Sequence, residues 1–513
     1  MLVSLFGKKS DHPLSDIKSA QQVLDLIPKA DSLKALVEIS SWLEELNDDA
    51  DQFKLDHQVA VLTLLDEAAQ PHIRKLQREY FTLQPLNKFQ ENRLWAALNQ
   101  FFIFSEQLYA SIFSQCRKMD RAGDVDKLHM VLMACRAIES ISNRLKLSAV
   151  RYEKVVPELW THLAGIYSYA EKYDFLDEFV TLYPSAGIIT SVRREFAGVV
   201  VWNSLGTGTL LPLHIHISER LISHINKYLE VGTKIGEGSL VAFNLQQPTA
   251  PYRANGEETI HQGVRFFETG GLEKGLNDLI RTLTKGVVPQ ELNLYGSFYD
   301  AGLIGDVARQ LITRCVLPAP TRRNVRRKLK VNLHVLNGFQ NLFDNTDASS
   351  ILSFGDANNE IWEVEDVSAT GFCSVVSPSL LDRVKIGALI GSKPENLGNW
   401  GVGIVRRLSR DTQSNLQVGV EILSNQVAGV LLGVADRAHA DDSTHLALYL
   451  NKANENSGEA WLLMRPGTFL PSRSFNMKMS GKTYLLLSLG LVESGDDYDL
   501  ARYRKMEQDT SGE

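Results

Sequence analysis

Long apolar runs are missing from this chain of 513 residues. No stretch approaches the length of about 18 consecutive apolar residues that a spanning helix needs, so no transmembrane segment is expected. The start, Met1-Leu2-Val3-Ser4-Leu5-Phe6-Gly7-Lys8-Lys9, has too short an apolar core for a signal peptide and reads as a frayed terminus. Cysteine is scarce: Cys116, Cys135, Cys315 and Cys373 are scattered and form no Cys-x-x-Cys, which argues against a zinc module or a disulfide framework and makes reduced, cytoplasmic thiols the default. Excess positive charge is absent too. Lys and Arg total 54 against 61 Asp and Glu, a net charge of −7, so neither bulk nucleic-acid binding nor membrane-surface binding is indicated.

Catalytic signatures are lacking as well. Gly206-Thr207-Gly208 and Gly236-Glu237-Gly238 fall in loops, but neither completes a phosphate-binding fingerprint and no Gly-Lys-Ser/Thr follows. There is no Gly-x-Ser-x-Gly elbow and no His-Glu-x-x-His pair. His214, His216 and His224 invite a metal hypothesis, because His-x-His puts two rings on one face of a strand. No acidic partner stands at close spacing, so satisfied histidines are the better reading. The sequence therefore assigns no catalytic residue, no metal and no cofactor, and points away from an enzyme.

What is present is helix first. From about Ser15 to Thr181 the chain reads as nearly continuous helix broken by short loops. Ser32 to Leu46 carries Leu33, Leu36, Val37, Ile39, Leu43 and Leu46 at helical period, with Asp31 or Ser32 as N-cap. Leu55–Tyr80 and Phe89–Cys116 repeat the pattern, with Pro71 expected to kink or break the first. Phe101, Phe102, Phe104, Tyr109 and Phe113 read as packing between antiparallel helices. Trp160-x-x-Leu163-Ala164-x-x-Tyr167 fits the first half of a tetratricopeptide-like repeat, but the later positions do not follow. Between 186 and 314 the pattern is mixed. Ala197–Trp202 and Leu240–Leu245 are strand candidates; Glu219–Tyr228, Glu273–Thr284 and Asp306–Arg314 look helical.

Pro318-Ala319-Pro320 then separates this half from a basic run, Arg322-Arg323-Asn324-Val325-Arg326-Arg327-Lys328. Beyond it the period changes to two. Lys330–Val335 alternates as a half-buried strand, Ile361–Asp366 is a second strand, and a turn at Ser368–Gly371 hands on to Phe372–Val376. The stretch from Gly338 to Glu360, rich in Asn, Asp and Ser, reads as a long hairpin insertion. A basic tether thus leads into a sheet from which Asp366 and Ser368 project, which suits an anionic ligand with a donor-rich edge. After Ser424, His445–Leu450, Ala460–Met464 and Thr483–Leu491 are further strands, and Asp499–Lys505 is a short basic helix candidate.

Arg-x-x-x-Arg preceded by Arg, followed by Asp366-x-Ser368-x-x-Gly371, resembles the PilZ family of bacterial cyclic di-GMP receptors. Trp400–Arg407 and Gln417–Leu423 look like the later barrel strands of that family. The resemblance covers about residues 320–425. It implies that Arg322, Arg323 and Arg327 clamp phosphates and stack on guanine, that Asp366 and Ser368 hydrogen-bond the ligand, and that Gly371 holds the turn. Arg322 with Arg326 offers the same spacing one residue out of step. The chemistry agrees: a guanidinium grips phosphate through two parallel charge-assisted hydrogen bonds and stacks on flat rings, and a carboxylate accepts from the N1–H and amino group of guanine but not from adenine.

The expected architecture is an α+β multidomain chain, mainly α-helical in its N-terminal half, with a C-terminal PilZ-like antiparallel β-barrel and an additional β module. Its parts are a flexible tail at 1–14, an all-helical bundle or solenoid at 15–185, a mixed and mostly helical region at 186–314, a hinge and basic tether at 315–327, the barrel at 328–425, a second β module or barrel extension at 426–506 and a disordered tail at 507–513. The expected function is a cytoplasmic cyclic di-GMP receptor whose helical half meets a protein partner, with the unliganded tether mobile and ordered by the bound dianion. Two alternatives stand beside it: a nucleic-acid-binding protein using 322–330 as a phosphate-contacting arm, against which the acidic remainder counts, and a helical scaffold with a degenerate barrel, against which the intact Asp366-x-Ser368-x-x-Gly371 counts.

Overall fold

A computed structural model describes residues 12–84, 86–119, 127–184, 187–236, 238–254, 262–292, 294, 299–315, 325–346, 359–377, 383–411, 413–435, 444–451 and 458–508. The chain divides into two units. One is helical and holds most of the chain up to Pro320; the other is built on Thr321–Glu513.

The helical unit begins with α1 (Ile17–Leu26), α2 (Ser32–Asp48), α3 (Leu55–Tyr80), α4 (Lys88–Met119), α5 (Lys127–Ala149) and α6 (Glu158–Lys172). The Asp31 carboxylate caps α2 by accepting from the Lys34 amide at 3.1 Å, leaving one fewer unmet donor at the helix start. Pro71 does not end its helix. It sits inside the 26 residues of α3, which continues to Tyr80. Phe101, Phe102, Tyr109 and Phe113 of α4 are buried, as core residues should be. The tail expected at 1–14 is not loose throughout: Leu14 is fully buried and its carbonyl meets His57 Nε2 at 2.7 Å.

The mixed region contains a two-stranded pair, β1 (Val180–Thr181) and β2 (Ile189–Thr190), then α7 (Val192–Asn203) and α8 (Pro212–Ile225). A four-stranded antiparallel sheet follows, made of β3 (Glu230–Gly232), β4 (Ser239–Asn244), β5 (Tyr252–Arg253) and β6 (Val264–Glu268) in the order β3-β6-β4-β5. Helices α9 (Gly270–Leu283) and α10 (Ala301–Cys315) close the unit. Ala197–Trp202, expected as strand, is helical. Ser191 caps α7, accepting from the Arg194 amide at 3.4 Å, and Val199, Val200, Val201 and Trp202 are all buried. Burial outweighs the strand preference of three consecutive valines.

In the second unit six strands, β7 (Arg327–Asn337), β8 (Glu360–Ser368), β9 (Gly371–Val376), β10 (Leu389–Pro394), β11 (Gly401–Arg410) and β12 (Leu416–Ser424), form a closed antiparallel barrel, with the short helix α11 (Phe339–Asp344) between β7 and β8. The insertion after Gly338 thus opens with a helix. The barrel closes in the order β7-β8-β9-β12-β11-β10. Its interior is apolar, with Val335, Trp362, Val364, Ile390, Val405 and Val418 at its heart.

The later strands are a second closed barrel rather than an extension of the first: β13 (Val427–Val434), β14 (Thr444–Leu450), β15 (Glu459–Met464), β16 (Phe475–Met479), β17 (Lys482–Ser494) and β18 (Asp499–Gln508), in the order β13-β14-β15-β18-β17-β16. It has its own core of Leu432, Leu462, Met477, Leu486 and Tyr503. Strand for strand, the two barrels share one closure order. The basic helix expected at Asp499–Lys505 is β18. Ala501 and Tyr503 are fully buried while Arg504 is exposed, the period of two that a strand requires. Glu507 and Gln508, expected in a disordered tail, lie in β18, and the rest of that expected tail lies outside the described residues. A third apolar cluster joins the barrels, with Trp400, Val402 and Ile404 from the first and Leu448, Leu450, Tyr498 and Leu500 from the second side.

Candidate functional site

The strongest candidate site lies on the outer face of the first barrel, where the β8–β9 hairpin meets β11 and β12. Residues of β8 alternate in and out as far as Val364. The pairing then slips on both flanks, between Val364 and Asp366 against β9 and between Lys328 and Val331 against β7. Such bulges re-aim the side chains that follow. Asp366 comes out of this one beside a cavity of about 360 Å³.

The hairpin turns through Ala369 and Thr370, with Ser368 opposite Gly371. Ser368 Oγ donates to the Gly371 carbonyl at 3.1 Å, and Thr370 accepts from the Ile422 amide at 3.0 Å, which fastens the turn to the edge of β12. Gly371 is required by a close approach. A Cβ there would stand 2.3 Å from the carbonyl oxygen of Val420, far inside contact distance.

Arg326 reaches back over the hairpin. Its Nη1 donates to Asp366 Oδ2 at 3.2 Å and stands 3.1 Å from Oδ1. Asp366 Oδ1 is shielded from solvent yet accepts no hydrogen bond among the described residues. Its contact there, among the described residues, is the Arg326 ion pair alone, so its remaining lone-pair capacity is open to a ligand N–H. Two further guanidiniums, Arg406 and Arg407, line the same cavity. They face the carboxylates Glu365, Asp366 and Glu421, so the wall is of mixed charge with cations on opposite sides. Cys373 lies between them. Burial, followed by the negative charges of Asp366 and Glu365, pushes its thiol up, which slows its reaction with electrophiles at neutral pH without abolishing it.

Of the residues singled out from sequence, Asp366, Ser368, Gly371 and Arg326 are brought together around one cavity. Arg327 opens β7 opposite Val367 and is not among the lining residues. Arg322 and Arg323, with the rest of the tether before Val325, lie outside the described residues. Sequence reasoning missed Arg406, Arg407, Cys373 and Gln417 as site residues. The signal was there for the first two: adjacent arginines inside an otherwise apolar strand, Gly401-Val402-Gly403-Ile404-Val405-Arg406-Arg407. His214 and His216 are not on a strand but on α8. His216 is buried against Phe81, ring centroids 4.1 Å apart and nearly parallel, so it is part of a core.

Comparison with known proteins bears on the other unit. Residues 18–234 match the family described as the cyclic-di-GMP receptor FimW, N-terminal domain. The match runs from α1 to the end of β3 and stops short of both barrels. No curated protein matches the chain. Among the described residues no helix is long and apolar enough to cross a membrane.

Proposed function

We propose that this chain is a cyclic di-GMP receptor which holds the dinucleotide on the first barrel, at the cavity between the β8–β9 hairpin and β11–β12. One observation carries the reading: the Asp366 carboxylate, whose shielded Oδ1 is held by the Arg326 ion pair but accepts no hydrogen bond among the described residues, lies beside three guanidiniums at one cavity. A guanine offers adjacent N–H donors to such a carboxylate, and phosphates suit the arginine forks. The match of the helical region to the N-terminal domain of a cyclic di-GMP receptor family supports the same ligand by an independent route.

In this reading Asp366 selects guanine, Ser368 and Gly371 fix the turn that presents it, and Arg326, Arg406 and Arg407 meet phosphate. Arg322 stands four residues before Arg326 and supplies the second half of the clamp in that register. The role is binding, in the cytoplasm, without turnover, and the helical unit carries the response to a protein partner. Calorimetry on the full chain tests it. Cyclic di-GMP should bind saturably and cyclic di-AMP far more weakly, with Asp366→Ala erasing the difference. Equal affinity for the two dinucleotides would overturn the role given to Asp366.

A further inference from the structure

Arg406 does more than line the cavity. The pairing of β11 with β12 slips between Val405 and Arg407, so Arg406 is the extra residue of a bulge. Its Nε donates to Glu421 Oε2 at 2.7 Å, and its Nη1 and Nη2 donate to the two carboxylate oxygens of Glu493 at 2.5 and 2.6 Å. Glu421 belongs to the first barrel. Glu493 belongs to β17 of the second, and it too stands at a slip, between Leu491 and Glu493. The Tyr498 hydroxyl donates to Glu493 Oε1 at 2.8 Å, while the Tyr498 ring is fully buried in the apolar cluster shared by the two barrels. One guanidinium thus connects the candidate ligand cavity to the junction of the barrels.

We propose that Arg406 is a ligand-gated clasp: a phosphate bound in the cavity draws its guanidinium away from Glu493 and loosens the second barrel's hold on the first. The proposal rests on the cyclic di-GMP reading above. A phosphate presents the same two-oxygen edge to the guanidinium as the Glu493 carboxylate does, so the two compete for one fork. Both partners of the existing pair are about one-third exposed, 38% for Arg406 and 32% for Glu493, so an incoming ligand can reach the pair and solvent screens part of its attraction. Arg406 hydrogen-bonds Glu493 and holds its carboxyl below the usual range. That effect ends when the clasp opens, but an ordinary carboxylate is still ionised at neutral pH, so the freed Glu493 is repelled by the incoming anion. Because the coupling is reciprocal, whatever frees Arg406 from Glu493 must also tighten ligand binding.

The test uses the full chain and cyclic di-GMP. Glu493→Gln removes the competitor and should tighten binding by about fivefold or more, the low end of ordinary coupling between sites. In the wild type, amide exchange across 490–500 should speed up on saturation with ligand; in Glu493→Gln it should already be fast without ligand. Arg406→Lys keeps a charge but not the two-pronged grip, and should show the same fast exchange without ligand. Asp366→Ala should keep the slow exchange and lose the response. If the wild type binds while Glu493→Gln has unchanged affinity and exchange at 490–500 ignores the ligand, the clasp is refuted and the receptor reading stands. Slow exchange in Arg406→Lys would refute the clasp as well. No binding to the wild type would overturn both.

Discussion

Replacing Arg326 by alanine separates the two registers of the arginine motif. Arg326 Nη1 lies within 3.2 Å of both oxygens of Asp366, and the two side chains are 42% and 25% exposed. An ion pair that open to water is worth under about 1 kcal/mol to the fold, so Arg326→Ala should leave the thermal transition nearly where it was. Binding is a different matter. A charge-assisted contact to a phosphate is worth about 1.5–3 kcal/mol, which corresponds to a loss of about 10- to 150-fold in affinity. Arg327→Ala is the control. Arg327 opens β7 and does not line the cavity, and a charge acting only at a distance is screened, so its loss should cost less than about threefold. Both variants are titrated with cyclic di-GMP at physiological salt alongside the wild type. A large loss for Arg327→Ala with little for Arg326→Ala would refute the placement of the ligand and restore the register Arg323 with Arg327.

Three further outcomes are expected. Gly371→Ala should lower the melting temperature of the barrels and weaken the ligand together: the added Cβ meets the Val420 carbonyl at 2.3 Å, and overpacking of this kind costs about 1–3 kcal/mol. An unchanged transition in a thermal scan would show that the hairpin does not need that close approach. Cys373 lines the cavity, whereas Cys116, Cys135 and Cys315 are buried; saturating cyclic di-GMP should slow its modification by a maleimide, followed by intact mass, and an unaltered rate would put the ligand elsewhere. Burial holds His216 well below its ordinary value, so the unfolded chain takes up a proton that the folded chain refuses. The stability this residue leaves intact above pH of about 6.5 is lost as pH falls below it, with a slope of up to about 1.4 kcal/mol per unit. Glu139, pushed up to about 7 by desolvation, acts in the opposite sense as pH rises from its unfolded value, so each pH is read as wild type against His216→Leu. Parallel denaturation midpoints for the two between pH 5 and 7 would contradict the effect.

Where local pattern and final environment agree, the sequence alone determined the element. The apolar faces of α2, α3 and α4 repeat at helical period, and strands such as β8, β12 and β14 alternate or run apolar between turn residues. Asp366, Ser368 and Gly371 were legible for the same reason, since a hairpin is local and its spacing is its geometry. Tertiary structure decided the rest. The valines of α7 favour a strand by propensity and became helix because the core surrounds them on every side. Arg502, Arg504 and Lys505 gave Asp499–Lys505 the look of a solvated basic helix, but pairing with β15 and β17 made it a strand. Closure of the second barrel depends on β13 finding β16 across two intervening strands of the chain, a contact that no local window contains. That Arg326 and not Arg327 lines the cavity is likewise a matter of the fold, since Arg326 stands before β7 and reaches Asp366 while Arg327 pairs opposite Val367. Arg406 and Glu493 are 87 residues apart. Only the fold puts the two carboxylate oxygens of one barrel within reach of a guanidinium on the other.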